Sequence, residues 1–363
     1  MPRKKKYPPL VAIDLFCGGG GLTVGLKQAG FVVSAAVELD TYAAATYSAN
    51  HPETVLYVED IRKLTGAQLT TTSPTGRVDL IAACPPCQSF SSLTSKYKRK
   101  DSRDELIFEF LRVVKDVMPA TIMMENVPGL ALKGAHLFDP VMDELRSLGY
   151  QIDHRVVEVA DYGIPQRRKR LVVLGSLHGK LDIPRPSHGE VPAGDVIAWK
   201  TVRDAIGSLP KPLLFSKAKT TGGPKLANWH VVRNISELNI ERLRATRPGS
   251  SRATLPPELR PDCHKKNDRG FTNVYGRMSW DKPSPTITGG CTTPSKGRFG
   301  HPSQLRTISV REAAVLQTFP PEYVFDTDLI DRACVIIGNA LPPQFAGVMA
   351  QACGDHLRRE DKN

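Results

Sequence analysis

The chain has 363 residues, 40% of them hydrophobic and 24% charged, with a mean hydropathy of -0.25, which excludes a fibre, a collagen and a disordered tail protein. At about 150 residues per domain it holds roughly two domains, and no stretch approaches the roughly 18 consecutive apolar residues of a membrane helix, so no membrane partner is expected. Net charge is +12, and Ser176 to Gln304 alone carry 21 Lys and Arg against 10 Asp and Glu, a surplus of +11, together with 14 of the 29 prolines. Such a basic, loop-rich region fits a nucleic acid partner, and it fits a solvated surface equally well on charge alone.

The N-terminus, MPRKKKYPPL, is positive but lacks the apolar core of a secretory signal and reads as a solvated basic arm over 1–9. Seven cysteines, an odd number in a chain too long to need disulfide staples, fit a reducing cytoplasm.

From Leu10 onward one theme repeats: a short β-branched apolar run, a turn, then a helix-like segment. The runs are Val11 to Phe16, Phe31 to Val37, Val78 to Ala83, Ala120 to Met124 and Arg170 to Gly175. Each is continuously hydrophobic, as expected of strands buried on both faces of a parallel sheet. Helices are predicted between them, at Leu22 to Ala29 and at Glu105 to Val117. In the second, Leu106, Phe110, Val113, Val114 and Val117 form one apolar stripe. The expected class is doubly wound α/β. After Gly175 the pattern breaks, with a short helix predicted at Ile235 to Ala245, and helical periodicity returns at Val310 to Gln317 and Gln344 to Leu357.

Ligands of open α/β sheets bind beyond the carboxyl ends of the strands, so the residues following each run are the candidates. The first run leads into Cys17-Gly18-Gly19-Gly20-Gly21, where glycines let backbone approach a ligand and expose helix N-terminal amides, although packing alone also demands such turns. The second ends in Glu38-Leu39-Asp40, a place where a carboxylate grips a ribose hydroxyl pair. Asp60, before Ile61, suits an exocyclic amine, and each of these acids serves as well as a helix cap.

The third run ends in Cys84-Pro85-Pro86-Cys87. A zinc site lacks further ligands, with no second CxxC and no paired-histidine motif, and a redox dithiol fits poorly with two prolines between the thiols. An inert buried cysteine remains open. So does a nucleophile, with the prolyl turn holding Cys87 near amide dipoles that favour its thiolate. The fourth run ends in Glu125-Asn126-Val127-Pro128, where a carboxyl among Met123, Met124 and Val127 is expected to have its pKa raised, or simply to cap the next helix. Before the fifth run stands Gln166-Arg167-Arg168-Lys169-Arg170; on an extended strand Arg168 and Arg170 would point together, toward a phosphate or a base carbonyl.

In order, DLFCGGGGLTVGL, VELD, CPPCQSFS, ENV, QRRKR and GNALPP resemble the motifs of the cytosine-C5 DNA methyltransferases, and Lys282 to Gly290 with Arg306 to Pro320 resemble that family's closing portion. The resemblance spans Ile13 to Val348 and spares the basic insert. It implies a Rossmann-like S-adenosylmethionine-dependent methyltransferase sheet over 10–175, a small target-recognition domain over 176–304, and a return to the catalytic domain over 305–363.

Carried over residue by residue, it implies that Phe16, Gly18, Gly20, Leu22, Glu38, Asp60, Ile61, Pro85, Leu106, Asn339 and Ala340 line the S-adenosylmethionine pocket. Cys87 attacks C6 of a flipped cytosine, Glu125 holds N3 and the exocyclic amine, Arg170 holds O2 and Arg168 supports the site. Double-stranded DNA is contacted by Ser91, by Gln166 and by a mobile basic loop carrying Lys96, Lys98, Arg99, Lys100 and Arg103. No metal is implied. The implied setting is a cytoplasmic, nucleoid-associated monomer, the modification half of a restriction-modification system whose endonuclease acts separately. The alternatives are C5 methylation of cytosine in tRNA and a catalytically silent DNA-binding homologue. Two positions depart from the pattern: Cys84 stands where glycine is expected, and Leu341 where valine is.

Overall fold

The structure, a computed structural model, describes residues 8–90, 102–262 and 272–360. The chain forms two compact units. One comprises the chain up to Glu158, Lys169–Arg185 and everything from Pro343; the other comprises Val159–Arg168 and Pro186–Pro342.

The first unit is built on seven strands: β1 (Leu10–Leu15), β2 (Phe31–Glu38), β3 (Val55–Val58), β4 (Leu80–Ala83), β5 (Thr121–Asn126), β6 (Gln151–Glu158) and β7 (Lys169–Ser176), in the order β3-β2-β1-β4-β5-β7-β6. Strands β1 to β5 pair in parallel, while β7 lies antiparallel between β5 and β6. The expectation of a parallel fifth run is therefore corrected: the sheet is mixed. A continuous apolar run reports burial on both faces, as in Leu171 to Leu174, and says nothing of direction. Direction follows from the connection, because ten residues link β6 to β7 without the helical crossover that a parallel pair requires.

Helices α1 (Gly21–Gln28), α2 (Thr41–Asn50), α3 (Gly66–Thr70), α4 (Leu106–Val117), α5 (Gly129–Leu132) and α6 (Ala135–Ser147) alternate with these strands. In α4 the stripe buries Phe110, Val113 and Val114 fully, in one core with Ile81, Ile122 and Met124 of the sheet. Five helices then belong to the second unit: α7 (Val202–Ile206), α8 (Phe215–Thr220), α9 (Glu237–Ala245), α10 (Val310–Leu316) and α11 (Ile330–Asn339). Helix α12 (Pro343–Glu360) belongs to the first unit and packs on α1 so closely that a Cβ on Gly25 would stand 2.5 Å from the Gly347 nitrogen and 2.6 Å from the Ala346 Cβ. Only glycine fits there.

The second unit has little sheet, so its loop carbonyls are satisfied by buried guanidinium groups. Arg277 donates to the carbonyls of His301 and Pro302, and Arg311 to those of Asn228 and Tyr323. Arg252 is only 2% exposed. Part of the charge surplus counted in the sequence is thus internal scaffolding. Helices α10 and α11 pack within this unit, so the chain rejoins the first unit at Pro343 and not at 305.

Candidate active site

The strand order places the topological switch between β1 and β4, since β2 and β3 extend one way and β4 and β5 the other. The turn after β1 and the Cys84–Cys87 turn after β4 therefore leave neighbouring strands at the same edge.

After β1 the backbone turns through Phe16 (φ 60°), Gly18 (φ 54°) and Gly20 (φ 90°), left-handed conformations that glycine adopts without strain. A Cβ placed on Gly18 would meet nothing within 4 Å, so the space above the turn is open. Phe16 is half-buried, Leu22 is buried, and Gly20 caps α1. Glu38, at the end of β2, accepts from the amides of Gly18 (2.8 Å), Leu39 (2.9 Å) and Asp40 (2.7 Å), while burial pushes its carboxyl above the usual range. Beneath the turn, Asp14 accepts from Thr23 Oγ1 at 2.6 Å, and its other oxygen has no hydrogen-bond partner among the described residues. Burial pushes Asp14 up to about 7.

Asp60 caps the short turn Ile61–Lys63 and is held by Arg62 through Nε at 3.0 Å and Nη2 at 2.8 Å, which keeps its carboxyl below the usual range. Ile61 is buried, and Arg62 and Leu106 line one small surface cavity. Pro85 is buried.

Cys87 is 6% exposed. Asn126 Nδ2 donates to its sulfur at 3.3 Å and to the Pro85 carbonyl at 3.0 Å. Burial outweighs this contact and pushes the thiol up to about 12, with the charges of Asp104 and Glu125 acting in the same direction. The expectation of a thiolate favoured by amide dipoles is corrected: Cys87 carries its proton here at neutral pH.

Glu125 is 8% exposed, and Arg170 Nε lies 2.5 Å from its Oε1. Its neighbours are not the apolar side chains alone that the sequence suggested. The Cys84 thiol, half-buried, is pushed well above the usual thiol range, first by burial and then by the charge of the same carboxyl. The departure at Cys84 thus places a thiol within the electrostatic reach of Glu125.

Arg168 and Arg170 have separate partners, contrary to the shared direction read from the sequence, because the strand begins only at Lys169. Arg168, 5% exposed in the second unit, donates Nη1 to the carbonyls of Ile287 (3.0 Å) and Gly338 (3.1 Å). Gln166 is fully buried, donating to Gln317 Oε1 at 2.6 Å and accepting from the Ile287 amide at 2.8 Å, so it offers no surface to DNA in this structure. Gln317 also donates to the carbonyls of Ile337 and Ala340 and steadies the end of α11, where Asn339 is exposed and Ala340 half-buried. Arg103 is exposed; Ser91, Lys96, Lys98, Arg99 and Lys100, with the basic loop they define, lie outside the described residues.

Two residues escaped the sequence reading. Asn126 stood inside a quoted motif without a role, and Gly129 could have been found only from the close approach of Phe90, whose carbonyl oxygen would stand 2.1 Å from a Cβ at that position.

The site-bearing unit is thus an α/β fold on a mixed seven-strand sheet, with an open glycine turn after β1, a buried thiol after β4 and a buried carboxylate at the end of β5. Solved structures share this fold. A putative DNA modification methyltransferase from a prophage of E. coli is 27% identical with a TM-score of 0.72, covering 96% of this chain and 99% of that one. A Dnmt2 methyltransferase of S. pombe, 19% identical with a TM-score of 0.64, shares the fold. The sequence matches the C-5 cytosine-specific DNA methylases over residues 10–355, and the chain belongs to that family. Among curated relatives, the Type II methylase M.HgiDII of Herpetosiphon aurantiacus is 38% identical over 94% of both chains. The Type II methyltransferase M1.HphI of Haemophilus parahaemolyticus is 34% identical over 94% of this chain and 86% of that one.

Proposed function

We propose that this protein methylates C5 of a specific cytosine in double-stranded DNA, with S-adenosylmethionine as methyl donor, as the modification half of a restriction-modification system. The observation that carries the reading is the two buried groups at the ends of the neighbouring strands β4 and β5: Cys87 beside Asn126, and Glu125 beside Arg170.

The turn after β1 fits the cofactor. The space above Gly18 is open, Glu38 is presented for a ribose by three amides, and Asp14 keeps a buried oxygen without a hydrogen-bond partner among the described residues. Phe16, Gly18, Gly20, Leu22, Glu38, Asp60, Ile61, Pro85 and Leu106 would hold it. When bound, it supplies an electrophilic methyl group.

The protein's own groups activate the base. Cytosine C5 is a poor nucleophile, so Cys87 passes its thiol proton to solvent as its sulfur forms a bond to C6, and the displaced electron pair makes C5 nucleophilic. Glu125 holds a proton at N3, which stabilises the adduct, and Arg170 holds O2 and keeps Glu125 in place. After C5 has gained its substituent it loses its proton, the bond from sulfur to C6 breaks, and the aromatic ring returns. C5 methylation of a duplex requires extrusion of the base, at a cost of a few kcal/mol. Arg168 braces the backbone of its own unit at Ile287 and Gly338.

The test is incubation of the purified protein with methyl-labelled S-adenosylmethionine and either mixed-sequence duplex DNA or total tRNA, followed by mapping of 5-methylcytosine. Label at one short DNA sequence is the expected result. Label in tRNA alone, or none in either, overturns the reading in favour of the RNA substrate or the silent homologue.

A further inference from the structure

The segment from Pro85 to Phe90 is held by three neighbours in the first unit, and two of them follow Glu125 in the chain. The Phe90 backbone packs against Gly129, where no side chain fits. The Ser89 amide donates to Asp104 at 3.4 Å. The third is Asn126, 4% exposed, and its amide has one orientation only: Oδ1 accepts from the Val127 N–H at 2.8 Å, so Nδ2 faces the Pro85 carbonyl and the Cys87 sulfur.

We propose that Asn126 is the positioning residue of the nucleophile, fixing the turn through Pro85 while aiming one N–H at the sulfur of Cys87. This rests on the role given to Cys87 above. A donor aimed at sulfur is worth more to a thiolate than to a thiol, because a hydrogen bond to a charged acceptor is the stronger. Asn126 thus opposes the burial that holds Cys87 protonated. The same residue keeps sulfur and prolyl backbone in register as charge moves onto C6.

The test is Asn126→Asp, which preserves shape and the Val127 contact but replaces the donor with a charged acceptor, read beside Asn126→Ser, which removes the donor and adds no charge. Loss of a hydrogen bond to a charged group raises a thiol by about one pH unit. Well below its pKa, thiolate fraction falls tenfold while intrinsic nucleophilicity rises about threefold, so alkylation slows by about three- to fourfold.

Alkylation of the DNA-free protein by iodoacetamide at pH 8 is followed by mass spectrometry of the Cys87 peptide. The expected result is that slowing, a fall in kcat of about tenfold, and cofactor affinity within twofold of wild type. A residue that merely packs the loop gives the opposite sign, since loosening exposes the buried thiol and speeds alkylation. Unchanged or faster alkylation overturns the proposal. If Asn126→Asp does not fold, Asn126→Ser, whose hydroxyl is too short to reach the sulfur, is read in the same way. If wild type transfers no methyl to cytosine while Asn126→Asp slows alkylation, the proposed function falls and the contact with Cys87 stands.

Discussion

Cys87→Ser is expected to lose methyl transfer by on the order of 10⁴-fold or more, about 5.4 kcal/mol of barrier, while binding S-adenosylmethionine within twofold of wild type. A hydroxyl is a far weaker acid than a thiol, and this site already disfavours the anion: Cys87 is pushed up to about 12 by burial. The loss should appear in kcat and kcat/KM alike, measured by label transfer to duplex DNA, because the bond from sulfur to C6 exists only on the way to the transition state. The cofactor turn is formed by β1 and β2, and its contacts to Glu38 do not involve Cys87, so equilibrium dialysis should register little change. Turnover near wild type in Cys87→Ser would remove the covalent step.

Glu125→Gln is expected to lower kcat by about 10² to 10⁴-fold, the range of a positioned acid, with KM for DNA moved far less. Glutamine keeps the length and one acceptor, but it holds no transferable proton for N3. It also breaks a buried ion pair, leaving the Arg170 guanidinium without its carboxylate in a site where Arg170 is shielded from water. A stability control belongs beside the kinetics. If melting falls by several degrees while kcat is unchanged, Glu125 is a structural partner of Arg170 and not an acid.

The fold was legible wherever burial wrote a pattern. Runs such as Val11 to Leu15, apolar but for Asp14, and Ile122 to Met124, apolar throughout, reflect a central sheet covered on both faces, and β1 and β5 formed there. The edge strands were not. Val55–Val58 is partly exposed, and Gln151–Glu158 carries Asp153, His154 and Arg155 toward solvent, so neither shows an apolar run. Helix α2, TYAAATYSAN, has no apolar stripe, and α6 contains Pro140, which reads as a break.

The Gly18 turn, Glu38, Cys87 and Glu125, the residues proposed for the chemistry, stand at strand ends in the structure as the sequence placed them, because each is at or just after the close of its run. What the sequence could not show was partnership at a distance. Arg168 bonds carbonyls 119 and 170 residues away, and Gln166 meets Gln317 across 151. Residue type is equally silent on partnership at Asn228 and Trp229. Both offer groups suited to base edges, yet Trp229 is 1% exposed and donates Nε1 to the Phe325 carbonyl at 2.8 Å, and Asn228 donates to the Pro321 carbonyl at 2.9 Å. Basic charge was a footprint read too broadly, since Arg252 and Arg277 serve the interior.

The central claim, that Cys87 bonds to cytosine C6, is tested most directly with duplex DNA of mixed sequence whose cytosines carry fluorine at C5. Fluorine cannot leave as the proton does, so release of the enzyme is blocked after the base has been attacked. With S-adenosylmethionine present, the account predicts a protein-DNA adduct that survives denaturing electrophoresis and maps by peptide mass to Cys87, and no adduct with Cys87→Ser. Absence of an adduct from a preparation that methylates ordinary duplex, or an adduct at any other residue, would contradict it.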